Sequence, residues 1–255
     1  MITATGMPKT IYSVWLQGLE AAPDLVRFNS ERWVALNPDY RLRVLDWSDV
    51  LELFEGSDIP LRDMPPQTVA DVVRVHLLCQ NGGVWVDLTV LPVKALSQWL
   101  DDALAQGGFF AFERPGSDRP ISNWFLAATP QHLIFREWWK QIERFWSKPR
   151  RLIRGIPDDP IGSVSPNGSA ESDWFPYFWS HYLFDYLLES HAAFAEAWSR
   201  CAKSSAHSPR QLQPFFAKTP NPSAADIRSV AGRAPMQKLN WRRIYPLDLL
   251  AASLP

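Results

Sequence analysis

Two cysteines, four methionines and a formal net charge of −1 in 255 residues leave several classes of protein with little support. Cys79 and Cys201 are too few for a disulfide framework, and reduced, buried thiols are the simpler account. A charge balance this near neutral gives no electrostatic reason to expect nucleic acid as a partner. No apolar run reaches the roughly 18 residues that suggest a membrane span. The N-terminus lacks the basic-then-apolar pattern of a secretion signal. The expected location is therefore cytoplasmic, at most peripheral to the inner face of a membrane. No internal repeat is found.

Aromatic residues, by contrast, are plentiful, with thirteen tryptophans. Such rings bury large areas wherever they sit, which makes them ordinary core material, but sugar-binding clefts also use them as apolar platforms. The length suffices for one large core with an added helical part.

Residues 9–15 predict a strand, and 23–36 a helix with Leu25, Val26, Trp33, Val34 and Leu36 at its apolar positions. A second strand is predicted over 42–45 and a short helix over 49–54, followed by a connection marked by Pro60, Pro65 and Pro66. Further on come a helix over 96–105, a strand over 109–112, a helix over 131–146 and a two-part helical stretch over 175–201. This alternation argues an α/β architecture in a single domain, with residues 1–130 as the α/β core and 131–255 as a helical part. Residues 148–173 are rich in proline, glycine and serine and open with Lys148, Arg150, Arg151 and Arg154. They predict a long surface loop or lid, its basic cluster either solvated or facing a phosphate or anionic acceptor.

The most informative stretch runs from Asp71 to Thr89. Thr68 can cap a helix for which Asp71 completes a capping box. Asn81-Gly82-Gly83 then stops that helix, because glycine accepts the left-handed backbone of a C-terminal cap. Val84-Trp85-Val86 favours a strand, and Asp87 sits at its C-terminal end, where open α/β sheets bind ligands. Asp71 and Arg74 share one helix face. They are either a cap and a surface ion pair, or groups that point into the crevice beside Asp87, which is itself either a turn residue or a ligand-binding carboxylate.

Ala70-Asp71-Val72-Val73-Arg74 and Gly82-Gly83-Val84-Trp85-Val86-Asp87-Leu88-Thr89 resemble the paired helix and strand of DXD-type glycosyltransferases. The resemblance is narrowest to capsular polysaccharide synthesis proteins and their α-1,6-mannosyltransferase-like and toxin-glucosyltransferase-like relatives. Met7-to-Trp15, Asn37-to-Asp46, Pro120-to-Phe125 and Tyr177-to-Phe184 are similar to further blocks of that group, in the same order. Met236-Gln237-Lys238-Leu239-Asn240-Trp241 resembles its closing block, with Gln237 in place of a histidine.

The resemblance implies a GT-A type, Rossmann-like mixed α/β sheet with helical additions, residues 1–130 binding a nucleotide sugar and 131–255 lying on the acceptor side. It implies retaining transfer from a UDP- or GDP-sugar donor to a glycan acceptor, in capsule or surface polysaccharide synthesis. Asp71, Arg74 and Asp87 would be the catalytic residues, with Asp71 and Arg74 gripping the donor sugar and diphosphate. Trp15 would stack on the base, or else be core; Asn123 would wall the donor sugar, or else be a turn residue. His181 is either a pocket residue or a core histidine, and Lys238 would meet phosphate. His76 reads as structural.

A divalent cation, Mn²⁺ or Mg²⁺, would be held by Asp87 with Thr89 and Asn240. Thr89 stands where a full motif has a second aspartate, so the site has one fewer negative charge; hard cations are often held by one or two carboxylates plus phosphates. No general base is visible, which suits a reaction in which the departing diphosphate takes the acceptor's proton. A non-catalytic carbohydrate-binding protein and a hydrolase with a carboxylate pair are the alternatives.

Overall fold

The computed structural model describes residues 1–254. Its first half alternates strands and helices: β1 (Thr10–Val14), α1 (Asp24–Leu36), β2 (Arg41–Leu45), α2 (Trp47–Leu53), α3 (Pro66–Asn81), β3 (Gly83–Val86), β4 (Val90–Pro92) and α4 (Leu100–Leu104). There follow β5 (Phe109–Gly116), β6 (Arg119–Ala128), α5 (Leu133–Phe145), β7 (Arg151–Ile153), α6 (Pro160–Val164), α7 (Pro166–Glu171), β8 (Trp174–Pro176), α8 (Trp179–Ser190) and α9 (Ala192–Arg200). The chain continues through β9 (Ala202–Ser205), α10 (Leu212–Lys218), α11 (Ala224–Ala231), β10 (Met236–Lys238) and α12 (Leu247–Ser253).

Six strands form the main sheet in the order β2-β1-β3-β6-β5-β9. β2, β1 and β3 run parallel; β6 lies antiparallel between β3 and β5, and β9 is parallel to β5. The sheet is thus mixed α/β, and the change of strand sense falls between β3 and β6, beside Asp87. All four residues of β3 are buried, as expected of a central strand covered on both faces. On one face α3, α5 and α8 pack Val72, Val75, Trp138 and Phe184 into the largest apolar cluster. On the other, Trp33 of α1 and Leu100 of α4 meet Phe110 and Phe125. Among the described residues no helix is long and apolar enough to cross a membrane.

Three expectations are corrected. Thr68 does not cap α3: the helix starts at Pro66, with Pro65 as its N-cap and no side-chain cap, and Thr68 is buried one turn inside. Proline's fixed φ and missing N–H suit the first helical position, and this outweighs the Thr-Asp capping signature. That frees Asp71 for the site.

Residues 148–173 are not one irregular loop. They contain β7, α6 and α7, the two short helices starting where Asp159 and Ser165 cap Gly162 N and Gly168 N ahead of Pro160 and Pro166. Two members of the basic cluster are engaged within the protein. Arg150 donates to the carbonyls of Phe145 and Ser172, and Lys148 to Asp173 at 3.1 Å. Third, the predicted helix over 96–105 is a turn of 3₁₀ helix, Leu96–Gln98, followed by α4. Cys79 and Cys201 are both free and buried.

Candidate functional site

A Gly-Gly junction fixes how α3 meets β3. Gly82 has φ 64° and ψ −163°, a conformation open essentially to glycine alone, and Gly83 has φ 100°. A Cβ on Gly82 would lie 2.5 Å from the backbone nitrogen of Pro130, and one on Gly83 would lie 2.8 Å from the Thr10 carbonyl oxygen. The chain can therefore pass directly from helix to central strand, leaving Asp71 and Arg74 within reach of Asp87.

The turn after β3 is held by backbone and side chain alike. Asp87 N donates to the Trp124 carbonyl at 2.9 Å, and Val90 N donates to the Asp87 carbonyl at 2.8 Å. From α1, Asn29 donates to the Leu88 carbonyl at 2.8 Å and the Trp33 indole to the Val90 carbonyl at 2.9 Å. These buried bonds pin a segment that would otherwise be a free loop.

Around this turn four elements bring polar groups together. Arg74 of α3 donates through one terminal nitrogen to Asp71 and through the other to Asp87 Oδ1 at 2.9 Å. Its guanidinium also lies 4.9 Å from the centre of the Trp85 ring, an attractive cation–π position. Trp85 Nε1 donates to Asp87 Oδ1 at 3.1 Å, and Asn123 of β6 donates to Asp71 Oδ1 at 2.8 Å. From β10, Lys238 donates to Asp87 Oδ2 at 2.8 Å and to Thr89 Oγ1.

The two carboxylates feel opposite fields. Burial pushes the Asp71 carboxyl up to about 6, against the attraction of Arg74 and with added repulsion from Asp87. Asp87 is also penalised by burial, but Lys238 and then Arg74 outweigh it and hold its carboxyl below the ordinary value. His181 of α8 is pushed down to about 3 by burial and by Arg119 and Arg74, so it is neutral at physiological pH. Its buried Nδ1 has no hydrogen-bond partner, nor has the buried Nε of Arg74. Such groups on a cavity wall are suited to a bound polar ligand.

All these residues line one cavity of about 850 Å³, within the range of small-molecule sites. Trp15, which follows β1, lines it too and meets Trp241 edge-on, with ring centroids 6.1 Å apart. The structure thus gathers Trp15, Asp71, Arg74, Asp87, Thr89, Asn123, His181 and Lys238 around one space. Asn240 is not part of that lining; its side-chain oxygen accepts from Arg242 N at 3.0 Å. His76 lies elsewhere, 4.7 Å from the ring centres of both Phe54 and Trp139, in keeping with a packing role.

The sequence reading missed Arg119, Arg210, Arg242 and Tyr177, which also line the cavity. None carries a spacing signal, although Tyr177 falls inside a block singled out for other residues. Arg119, Arg210, Arg242, Arg74 and Lys238 set five cations against the two carboxylates Asp71 and Asp87, so the lining favours an anionic ligand.

A divalent cation held by Asp87, Thr89 and Asn240 would need free oxygens on all three. Both oxygens of Asp87 already accept from cations, and Lys238 Nζ stands between Asp87 and Thr89, where such an ion would be placed. Asn240 offers no oxygen to that space. As arranged, these residues do not fit the ion.

Residues 3–154 match the family model described as capsular polysaccharide synthesis protein. The chain is also similar to the initiation-specific alpha-1,6-mannosyltransferase of Candida albicans, 26% identical over 168 residues, covering 59% of this chain and 43% of that protein. A second relative is the mannosyl phosphorylinositol ceramide synthase SUR1 of Saccharomyces cerevisiae, 26% identical over 165 residues, covering 58% of this chain and 39% of that one. The chain spans about two fifths of the length of these relatives. Among solved structures it is similar to the PaToxG glycosyltransferase, with a TM-score of 0.47 and 12% identity over 76% of this chain and 73% of that one.

Proposed function

The chain belongs to the capsular polysaccharide synthesis protein family, and from that premise we propose that it is a GT-A type glycosyltransferase, moving a sugar from a UDP- or GDP-sugar to a glycan acceptor with retention of configuration. The observation that carries this reading is Arg74 bridging Asp71 and Asp87 at the wall of a cationic cavity. A carbohydrate binder has no need of so much positive charge beside its sugar subsite. A hydrolase would place its carboxylates across a glycosidic bond rather than on one shared arginine.

In this reading Asp71 accepts hydrogen bonds from the donor sugar's hydroxyls, with Asn123 fixing the orientation of its carboxylate. Trp15 and Trp241 offer ring faces and edges to the base. Lys238, Arg119, Arg210 and Arg242 are available to the diphosphate, whose negative charge grows as the glycosidic bond breaks. The acceptor approaches on the leaving-group side, and its proton passes to a diphosphate oxygen, so no separate base is required. Capsule or surface polysaccharide is the product class that the family suggests.

Donor-dependent release of free nucleoside diphosphate is the test. Wild-type protein given a panel of UDP- and GDP-sugars with glycan acceptors should release UDP or GDP, and Asp87→Asn should release it far more slowly. A protein that binds donors without release is a binding protein, and one that frees sugar from glycans without a nucleotide is a hydrolase.

A further inference from the structure

We infer that the Lys238 ammonium serves this protein as the fixed positive charge on the diphosphate leaving group, in the place where a divalent cation was expected. The inference rests on the glycosyltransferase reading and adds to it a charge source built into the chain.

Lys238 is not a wandering surface lysine. It closes the antiparallel pair of β10 with β4, in register with Val90, and the next residue, Leu239, donates its N–H to the Thr89 carbonyl at 2.9 Å. One residue earlier Gln237 is fully buried. It accepts from Leu212 N at 3.1 Å and donates to the carbonyls of Ala231 at 3.1 Å and Ser208 at 3.3 Å. Gln237 is therefore a clamp. It holds β10 in the register that delivers Nζ to Asp87 and Thr89.

An ammonium has three N–H donors, and Asp87 and Thr89 take two of them. The third is free for a phosphate oxygen. A small cation such as Mg²⁺ bound by Asp87 Oδ2 and Thr89 Oγ1 would need oxygens at about 2.0–2.1 Å. It would then crowd an ammonium already 2.8 Å from that same Oδ2. Like charges at such a separation repel strongly inside a partly buried site.

Charge balance points the same way. A pair of aspartates with a doubly charged ion balances two negative charges with two positive. Here Asp87 is the one carboxylate beside Thr89, and Lys238 and Arg74 already balance its charge. In the transfer step, the bond between the sugar's anomeric carbon and the phosphate oxygen breaks, and its electron pair stays on that oxygen. The acceptor oxygen bonds the same carbon, and its proton ends on the diphosphate. Lys238, aided by the cavity arginines, stabilises the charge that remains there.

The test measures binding of UDP and of GDP by calorimetry, on the full chain, in EDTA and in Mn²⁺. At least one nucleotide should bind equally well in both. Lys238→Gln should weaken that binding at least about tenfold, as expected when a charge-assisted hydrogen bond is lost. Lys238→Arg, which keeps the charge, should restore most of it. Melting curves of both variants confirm that they are folded, and Arg retaining binding where Gln does not excludes a merely structural loss. Binding seen only with Mn²⁺ would overturn the inference and leave the glycosyltransferase reading standing. So would Lys238→Gln binding as tightly as wild type in EDTA. If neither nucleotide binds under either condition, the function reading itself fails and the inference with it.

Discussion

Asp71 and Asp87 share a single arginine: one comes from a helix and the other from the end of a strand, and Arg74 donates one terminal nitrogen to each. Arg74 is 3% exposed, so its one charge is divided between two carboxylates with little help from water. Asp87 gains Lys238 as a second cation, whereas the further partners of Asp71, the Asn123 amide and the Trp179 indole, are neutral. This asymmetry explains why one carboxyl is raised and the other lowered.

A pH dependence follows for Asp71. Its folded-state value, about 6, lies above the ordinary 3.8, so the folded state binds this proton more tightly than the unfolded chain. The linked stability is fully present below the unfolded value and is lost as pH rises to about 6, a change on the order of 2–3 kcal/mol. Asp87, whose carboxyl is lowered, acts in the opposite sense and at lower pH. Asp71→Asn should therefore remove the decline in stability between about pH 4 and pH 6. Transfer should move the other way, falling below about pH 6 as Asp71 protonates. Denaturant titrations of wild type and variant across this range check the first claim; parallel curves would mean that Asp71 does not titrate there.

Asp87→Asn keeps the shape of the side chain but leaves Arg74 and Lys238 without their shared anion. Because the Asp87 side chain retains 28% exposure, the cost should be about 1–3 kcal/mol, less than for a fully enclosed pair. The variant should melt several degrees lower, still cooperatively, at roughly 2–4 °C per kcal/mol for a chain of this size. Transfer should drop by about 10²–10³-fold, the scale of losing preorganised charge at a leaving group. A folded variant that turns over at the wild-type rate would remove Asp87 from the mechanism.

Trp15 is half-buried, packed partly against Ala22, Val26 and Leu88 and partly against Trp241 across the cavity mouth. Trp15→Ala should weaken nucleotide binding by about 1–3 kcal/mol if the ring stacks on the base. Its effect on the unliganded melting temperature should be smaller than that of truncating a fully buried tryptophan such as Trp33. The reverse order would make Trp15 a core residue that happens to border the cavity.

How far the sequence could be read depended on the range of the interactions involved. Apolar spacing located β1, α1, β2 and α5 to within a few residues, since each buries a face set by its own period. Asp71, Arg74 and Asp87 were visible because helix, Gly-Gly turn and strand lie next to one another in the chain. The strand β6 was not seen: Pro120, Ser122 and Asn123 interrupt its apolar pattern, yet its pairing with β3 is what sets Asn123 against Asp71. Lys238 was visible as a cation but not as the partner of Asp87, because that contact joins residues 151 positions apart through the β10–β4 pair. The short helices α6 and α7 were hidden because their Asp-Pro and Ser-Pro starts read equally well as turns.

The Gly82-Gly83 junction offers the sharpest test of how the fold builds the site. Gly82→Ala would force a Cβ to within 2.5 Å of Pro130 N and 2.8 Å of the Ala128 carbonyl oxygen, and Gly83→Ala would press on the Thr10 carbonyl at 2.8 Å. The Ala128 and Thr10 carbonyls are backbone atoms of paired sheet strands and cannot swing aside, whereas Pro130 N belongs to the exposed turn after β6. Strain from the backbone conformation alone is about 1–3 kcal/mol, and the clash adds to it. Gly56 is the control: its φ is also positive, at 77°, but a Cβ there meets nothing within 4 Å. Gly56→Ala should therefore cost only the conformational part, with nucleotide binding unchanged. Gly83→Ala should cost clearly more and lose nucleotide binding as well, because shifting the start of β3 moves Asp87 away from Arg74 and Lys238. Equal melting temperatures for the Gly56 and Gly83 variants, with binding intact in both, would show that close packing at this junction does not position the carboxylate.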